Sequence, residues 1–201
     1  MSPLFLLRKL GLYIDEQFLT HKECQELSEE MAHSQKTTGQ VYSEESETEY
    51  SDLQLRQTQT CHVSLQSHDR IASRILTIKP LLEEHFKEQY SSAWETPKFL
   101  QYKTGNYFKP HTDAQACRRL NLSIYLNNQS ANQTPGSYCG GELTLYGLIQ
   151  SPGWQKRGMT VPGIQGMLIA YPVDILHEVT PVEFGSRYAI VSRFLSLSVK
   201  A

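Results

Sequence analysis

The sequence contains no apolar run approaching the roughly 18 residues that a membrane-spanning helix requires. The apolar segment Leu4–Leu7 is too short for the core of a signal peptide, and its basic neighbours, Arg8 and Lys9, follow it instead of preceding it. We therefore expect a cytoplasmic protein that does not engage a membrane.

Closely spaced cysteines are also missing. The four cysteines are scattered along the chain: Cys24, Cys61, Cys117 and Cys139. This spacing predicts neither a disulfide framework nor a CxxC zinc site, and it agrees with a reducing compartment.

Basic residues do not cluster, since the longest basic runs are pairs, such as Arg118-Arg119 and Lys156-Arg157. We therefore expect no nucleic-acid partner. The charges are nevertheless uneven: residues 1–97 hold 9 basic and 16 acidic residues, whereas residues 98–201 hold 10 basic and 5 acidic residues. A site for an anionic small molecule is expected in the second half.

Two helices are predicted in the first half of the chain. Thr20-x-x-Glu23 is a capping-box pattern that predicts a helix over residues 20–34. A second helix is expected from about Ser67, and Pro80 should kink it or divide it. The polar stretches 37–55 and 128–138 are expected to be surface loops, and residues 37–55 to act either as a connector or as a lid over a site.

After Lys98 the pattern changes to short strands separated by Gly and Pro. Residues 120–127 alternate between apolar and polar side chains, which is typical of a strand with one buried face. The 201 residues favour one domain over 1–201, because domains commonly hold about 100–200 residues. We predict an α+β fold, with helical support over about 15–95 packed on one sheet of a β-sandwich or barrel over about 98–197.

Candidate metal ligands follow from the pattern His111-Thr112-Asp113, which directs two ligand-type side chains to one side of an extended segment. A second imidazole, His177, lies in a later strand-like run. Two histidines and one carboxylate can occupy one face of an octahedral Fe(II) ion and leave three positions open. By itself, the pattern is weak and also fits a structural pair joined by hydrogen bonds.

A candidate anion site follows ten residues after His177. Arg187 opens an otherwise apolar strand, where a buried guanidinium requires an anionic partner such as a carboxylate. Tyr125 lies on the polar side of the 120–127 strand and could offer its hydroxyl to the same anion.

These residues belong to a longer series of motifs. The series runs through Tyr102-x-x-Gly105-x-x-Phe108-x-x-His111-x-Asp113, Tyr125-Leu126-Asn127, Gly140-Gly141-Glu142-Leu143, Pro162 to Leu168, and His177-Glu178-Val179-x-Pro181-Val182-x-x-Gly185-x-Arg187. In this order and spacing it resembles the prolyl 4-hydroxylase-like 2-oxoglutarate- and Fe(II)-dependent dioxygenases. Arg56-x-Thr58 is similar to a short arginine motif ahead of that family's core.

The resemblance implies a double-stranded β-helix, or jelly-roll, core and an oxidoreductase with Fe(II), 2-oxoglutarate and O2 as cofactor and co-substrates. His111, Asp113 and His177 would hold the iron. Arg187 and Tyr125 would bind the co-substrate carboxylate, and Tyr102 would line the same pocket. The implied reaction hydroxylates a small molecule or peptide and releases succinate and CO2, with proline favoured as the substrate by analogy alone.

The sequence departs from the family at Arg193, where many members have tryptophan. Because Arg187 and Arg193 are separated by an even number of residues, a regular strand puts both on one face. We expect Arg193 either to extend to the rim of the barrel or to receive an anionic group of the substrate, and we expect Arg56 to contact the substrate as well. The arginine pair also resembles that of AlkB-type nucleic-acid oxygenases, so this activity and a non-catalytic jelly-roll binding module stay as alternatives.

Overall fold

The structure is a computed structural model that describes residues 2–43, 48–115, 117–154 and 156–197. The helices of this part are α1 (Pro3–Lys9), α2 (His21–His33), α3 (Leu65–Thr77) and α4 (Lys79–Phe86). The strands before the second half are β1 (Tyr13–Asp15), β2 (Gln35–Thr38), β3 (Val41–Ser43), β4 (Thr48–Tyr50), β5 (Arg56–Gln57), β6 (Gln59–His62) and β7 (Tyr90–Lys103). The remaining strands are β8 (Tyr107–His111), β9 (Arg118–Tyr125), β10 (Tyr138–Gly140), β11 (Leu143–Tyr146), β12 (Gly158–Val161), β13 (Leu168–Pro172), β14 (His177–Val179) and β15 (Val182–Ser196).

The strands form two main antiparallel sheets. The larger has the order β1-β13-β9-β15-β7-β6-β2, with β10 paired to β15, and the smaller has the order β12-β11-β14-β8-β5. A separate hairpin pairs β3 with β4. The predicted α+β class with a jelly-roll core is confirmed.

Helices α2, α3 and α4 cover the larger sheet. Leu27 and Met31 of α2, and Ile71 and Ile75 of α3, are buried in one core cluster with sheet residues such as Leu122. Each such side chain contributes on the order of 1.5–3 kcal/mol on burial. None of the described helices is long and apolar enough to cross a membrane.

The helix predictions agree with these bounds. Thr20 is the N-cap of α2, with the reciprocal capping-box contacts to Glu23. The second predicted helix is divided near Pro80, because proline at the start of α4 cannot continue the backbone hydrogen bonding of α3. It begins two residues earlier than predicted, after the N-cap Ser64.

Residues 35–62 differ from the prediction, because they supply strands to both sheets. β2 and β6 extend the larger sheet and β5 adds to the smaller one, so the β-structure does not begin at residue 98. The 37–55 stretch contains the β3–β4 hairpin, while its residues 44–47 lie outside the described part. The polar sequences of β2 and β5 show no strand pattern because these two strands lie at sheet edges, where polar side chains remain compatible with pairing, and β6 lies between β2 and β7.

The alternation of apolar and polar residues in β9 does not mark a strand with one buried and one exposed face. Its polar face is also buried: Asn121, Ser123 and Tyr125 are at most 6% exposed. This face is directed into the space between the two sheets, where a polar lining implies a site.

The capping box of α2 gives a stability prediction. Glu23 N donates to Thr20 Oγ1 at 3.3 Å and Thr20 N donates to Glu23 Oε2 at 2.8 Å. Thr20→Ala should lower the free energy of unfolding by about 1 kcal/mol in urea titration. Ser2, the N-cap of α1, makes no capping side-chain hydrogen bond, so Ser2→Ala is the matched control and should change almost nothing. Equal effects of the two changes would contradict the role given to the box.

Candidate metal and co-substrate site

Three ligand-type side chains meet between the sheets. His111 ends β8 and His177 begins β14, and these strands pair with His177 directly opposite His111. Asp113 follows β8, and its backbone N–H donates to Val173 O at 3.0 Å. The ligand atoms of the three side chains lie within 4.8 Å of one another, so this group can hold a metal ion.

Backbone carbonyls orient both histidines. His111 Nδ1 lies 2.8 Å from Lys109 O, and His177 Nδ1 lies 2.8 Å from Ile175 O. A carbonyl oxygen only accepts, so each Nδ1 carries the proton, and each Nε2 keeps the lone pair that a metal requires.

Electrostatics favour the protonation states of His111 and Asp113 that a metal needs. Burial lowers the pKa of His111 to about 3, which keeps its imidazole neutral. Burial alone would raise the pKa of Asp113, but the Arg193 guanidinium holds it well below its usual range. The set of two neutral imidazoles and one carboxylate fits Fe(II) and similar divalent ions.

A buried cationic pocket adjoins the three ligands. Arg187 is 3% exposed, and its guanidinium carbon lies 5.2 Å from the ring centroids of both Tyr102 and Tyr125. Its Nε has no hydrogen-bond partner, and no carboxylate of the described residues forms an ion pair with it. A buried, incompletely paired guanidinium fits an anionic ligand that this part of the chain does not itself supply.

Tyr138 adjoins Arg187, since a Cβ added to Gly141 would lie 3.3 Å from Arg187 Cδ and 3.5 Å from Tyr138 Cδ2. It is 1% exposed, and its hydroxyl and that of Tyr125 are buried without hydrogen-bond partners. Burial raises the pKa of both phenols, so both hydroxyls keep the proton that they can donate. The sequence offers one indication that Tyr138 belongs to the site, because it lies two residues before the Gly140-Gly141 motif. Its position at the end of a predicted loop concealed this indication.

Tight packing fixes the Tyr138 ring. A Cβ added to Gly163 would lie 2.0 Å from the Tyr138 hydroxyl, and a Cβ added to Gly141, which has a φ of +61°, would lie 3.3 Å from Arg187 Cδ. These glycines let the backbone approach both side chains closely.

Arg193 is not at the rim of the barrel. Its guanidinium is enclosed and donates to Asp113 Oδ1 at 2.8 Å, to Glu95 Oε2 at 3.1 Å and to Asn121 Oδ1 at 3.0 Å. The expectation that it extends to the rim is wrong, because two carboxylates in the interior compensate its charge. A role in receiving the substrate stays a prediction, and these contacts favour another role.

Arg56, in β5, also lines the cavity. Its guanidinium carbon is 4.7 Å from the Phe108 ring centroid, and it donates to Gln40 O at 2.7 Å. Together with the three ligands, Arg187 and Arg193, it lines a cavity of about 160 Å³. Tyr102 lines it as well, and Tyr125 adjoins it through its contact with Arg187.

Comparison with known proteins agrees with this arrangement. Residues 97–194 match the sequence profile of the 2OG-Fe(II) oxygenase superfamily. A PKHD-type hydroxylase from Beijerinckia indica subsp. indica is 34% identical over 97 residues, which are 46% of this chain and 40% of that protein. The aligned segment thus spans well under half of the relative.

Two solved structures have the same fold. A prolyl-4-hydroxylase from Pseudomonas putida matches with a TM-score of 0.65 and 16% identity, covering 92% of each chain. A prolyl hydroxylase from Trichoplax adhaerens, solved with a hypoxia inducible factor peptide, matches with a TM-score of 0.70 and 18% identity, covering 96% of this chain and 90% of that one. The resemblance seen in the sequence motifs is confirmed: residues 97–194, just under half of the chain, match the 2OG-Fe(II) oxygenase superfamily.

Proposed function

We propose that the protein is an Fe(II)- and 2-oxoglutarate-dependent dioxygenase that hydroxylates an amino-acid-like small molecule or a peptidyl residue. The observation that carries this proposal is the convergence of His111, Asp113 and His177 beside the incompletely paired Arg187. In the overall reaction, one oxygen atom of O2 enters the substrate as a hydroxyl group. The other enters succinate as 2-oxoglutarate loses CO2.

The three ligands define where the chemistry occurs. His111 and His177 would each offer Nε2 and Asp113 one carboxylate oxygen, which leaves three positions on the same ion for other ligands. Bound Fe(II) supplies the activation of O2. The enclosing sheets limit the access of water to this point.

The cationic pocket is suited to the distal carboxylate of 2-oxoglutarate. Arg187 can bind a carboxylate through two parallel N–H groups, and Tyr125 and Tyr138 can each donate one O–H. Tyr102 lines the pocket with its ring. The result is a fixed distance between the anchored carboxylate and the metal, which orients the co-substrate.

The substrate is expected to enter past Arg56. This residue lines the cavity, and its Nε is buried without a hydrogen-bond partner. Proline, free or within a peptide, is the favoured substrate, because the relatives reported above include prolyl hydroxylases.

The four thiols are free in the structure, in keeping with a cytoplasmic protein.

Turnover tests the proposed function directly. The protein should be reconstituted with Fe(II) under anaerobic conditions and then supplied with 2-oxoglutarate, O2 and free amino acids, proline-containing peptides or oligonucleotides. We expect amino acids or peptides to raise succinate release above the rate without substrate. Stimulation by oligonucleotides alone would indicate a nucleic-acid oxygenase, and no succinate under any condition would indicate a binding module.

Removal of a ligand should abolish the metal site. Asp113→Ala should eliminate both turnover and Mn(II) binding in a calorimetric titration while the protein stays folded, because two imidazoles alone bind weakly. His62→Ala is the matched control, since His62 is exposed and contacts Thr37. Mn(II) affinity that survives Asp113→Ala would remove Asp113 from the site.

Removal of the Arg187 charge should weaken 2-oxoglutarate binding to the Mn(II)-loaded protein. Loss of one partner of a buried charge pair costs about 2–5 kcal/mol, so Arg187→Ala should raise the dissociation constant by a factor on the order of 30 to several thousand. Arg187→Lys should recover part of the affinity as a point charge. An unchanged 2-oxoglutarate affinity in the alanine variant would refute this assignment.

Tyr138→Phe tests the residue that the sequence did not indicate. Loss of one hydrogen bond to a charged group costs about 1.5–3 kcal/mol, so the 2-oxoglutarate affinity should fall on the order of ten- to a hundredfold. Tyr188→Phe is the control, because the Tyr188 hydroxyl accepts from Gln101 outside the cavity. If both variants bind alike, Tyr138 is only a packing residue.

A further inference from the structure

We propose that Arg193 is the positioning residue of Asp113, which holds one carboxylate oxygen so that the other faces the metal. This inference rests on the proposed function, since it concerns the same metal site. It also explains why a charged residue can occupy this inward position.

The two oxygens of Asp113 have different surroundings. Oδ1 accepts from Arg193 Nη2 at 2.8 Å, whereas Oδ2 lies 3.4 Å from His177 Nε2, on the side of the other ligand atoms. A carboxylate whose Oδ1 is engaged in this way is directed to bind a metal through Oδ2 alone. Single-oxygen binding preserves the positions that 2-oxoglutarate and O2 require.

The guanidinium can orient Asp113 because it is itself fixed. β15 lies between β7 and β9, and Arg193 is directly opposite Glu95 on one side and Asn121 on the other. Both residues accept its remaining donors, Glu95 at 3.1 Å and Asn121 at 3.0 Å. Each guanidinium nitrogen therefore has a partner, which leaves the side chain little rotational freedom.

Arg118 also lies near Asp113, but it does not orient the Asp113 carboxylate. Its Nε donates to Glu95 Oε1, and its Nη1 is 3.8 Å from Asp113 Oδ1, beyond hydrogen-bond distance. Arg118 thus contributes the same charge as Arg193 near the metal site without a hydrogen bond to the ligand. A comparison of the two arginines therefore separates the effect of orienting Asp113 from the effect of a nearby positive charge.

With Arg193 in this role, each of the three metal ligands is oriented by a hydrogen bond to a group outside the metal site. His111 and His177 are each oriented by a backbone carbonyl, and Asp113 is oriented by a guanidinium. Outer contacts of this kind typically change metal affinity 10–100-fold when removed.

Mn(II) titration without 2-oxoglutarate, followed by the EPR signal of the free ion, measures this effect. Loss of a nearby positive charge should by itself tighten the binding of a cation, whereas loss of positioning should weaken it. Arg193→Gln should therefore weaken Mn(II) binding by about 10–100-fold. Arg118→Gln, which removes the same charge, should leave the affinity equal or higher. Arg193→Lys should weaken binding less than the glutamine variant does.

Circular dichroism should show that each variant is folded. If Arg193→Gln does not fold, Asn121→Ala replaces it as the test, because it removes one anchor of the guanidinium without changing any charge; it should weaken Mn(II) binding several-fold. Mn(II) affinity in the folded Arg193 or Asn121 variant that equals wild type or exceeds it would overturn the inference. Wild-type protein that binds no Mn(II) would instead contradict the proposed function, and this inference with it.

Discussion

β14 pairs with β8 in the register that sets His177 opposite His111, and the rest of the site depends on this pairing. The two ring centroids lie 4.3 Å apart, a distance expected for directly opposed side chains on adjacent antiparallel strands. β11 holds β14 from the other side, with Leu145 opposite His177. A slip of one residue between β14 and β8 would direct one imidazole to the opposite face and dismantle the site.

Two arginines of β15 line the same cavity but have different partners. Arg193 is compensated within the chain by Asp113 and Glu95. Arg187 lies among phenolic rings, with its Nε unpaired. Because a buried guanidinium is costly without an anion, the anion for Arg187 is expected to come from a ligand. The asymmetry distinguishes a residue that organises the metal ligands from one that binds the co-substrate.

Local patterns in the sequence were sufficient to predict the helices and the site residues that belong to motifs. The capping box at Thr20 and the break at Pro80 depend on a few neighbouring residues, so both could be predicted. Even spacing also predicted that Arg187 and Arg193 share a face, and both line the cavity. Membership of a motif likewise identified His111, Asp113 and His177 as a group.

Contacts that depend on distant strands could not be predicted in the same way. Two of the three partners of Arg193 are Glu95 and Asn121, which come from β7 and β9 and meet it only through long-range register. Tyr138 was hidden at the end of a polar segment, although packing against Gly163 buries it. The edge strands of residues 35–62 have polar sequences because pairing at an edge requires little apolar surface.

The central claim is that one cavity holds a metal on three protein ligands and a dicarboxylate on Arg187. A crystal structure of the protein with Mn(II) and 2-oxoglutarate, with the metal located by anomalous scattering, tests it most directly. We expect one Mn(II) bound by His111, Asp113 and His177, with the distal carboxylate of 2-oxoglutarate on Arg187 and the Tyr138 hydroxyl. Mn(II) at any other position, or 2-oxoglutarate bound away from Arg187, would contradict it.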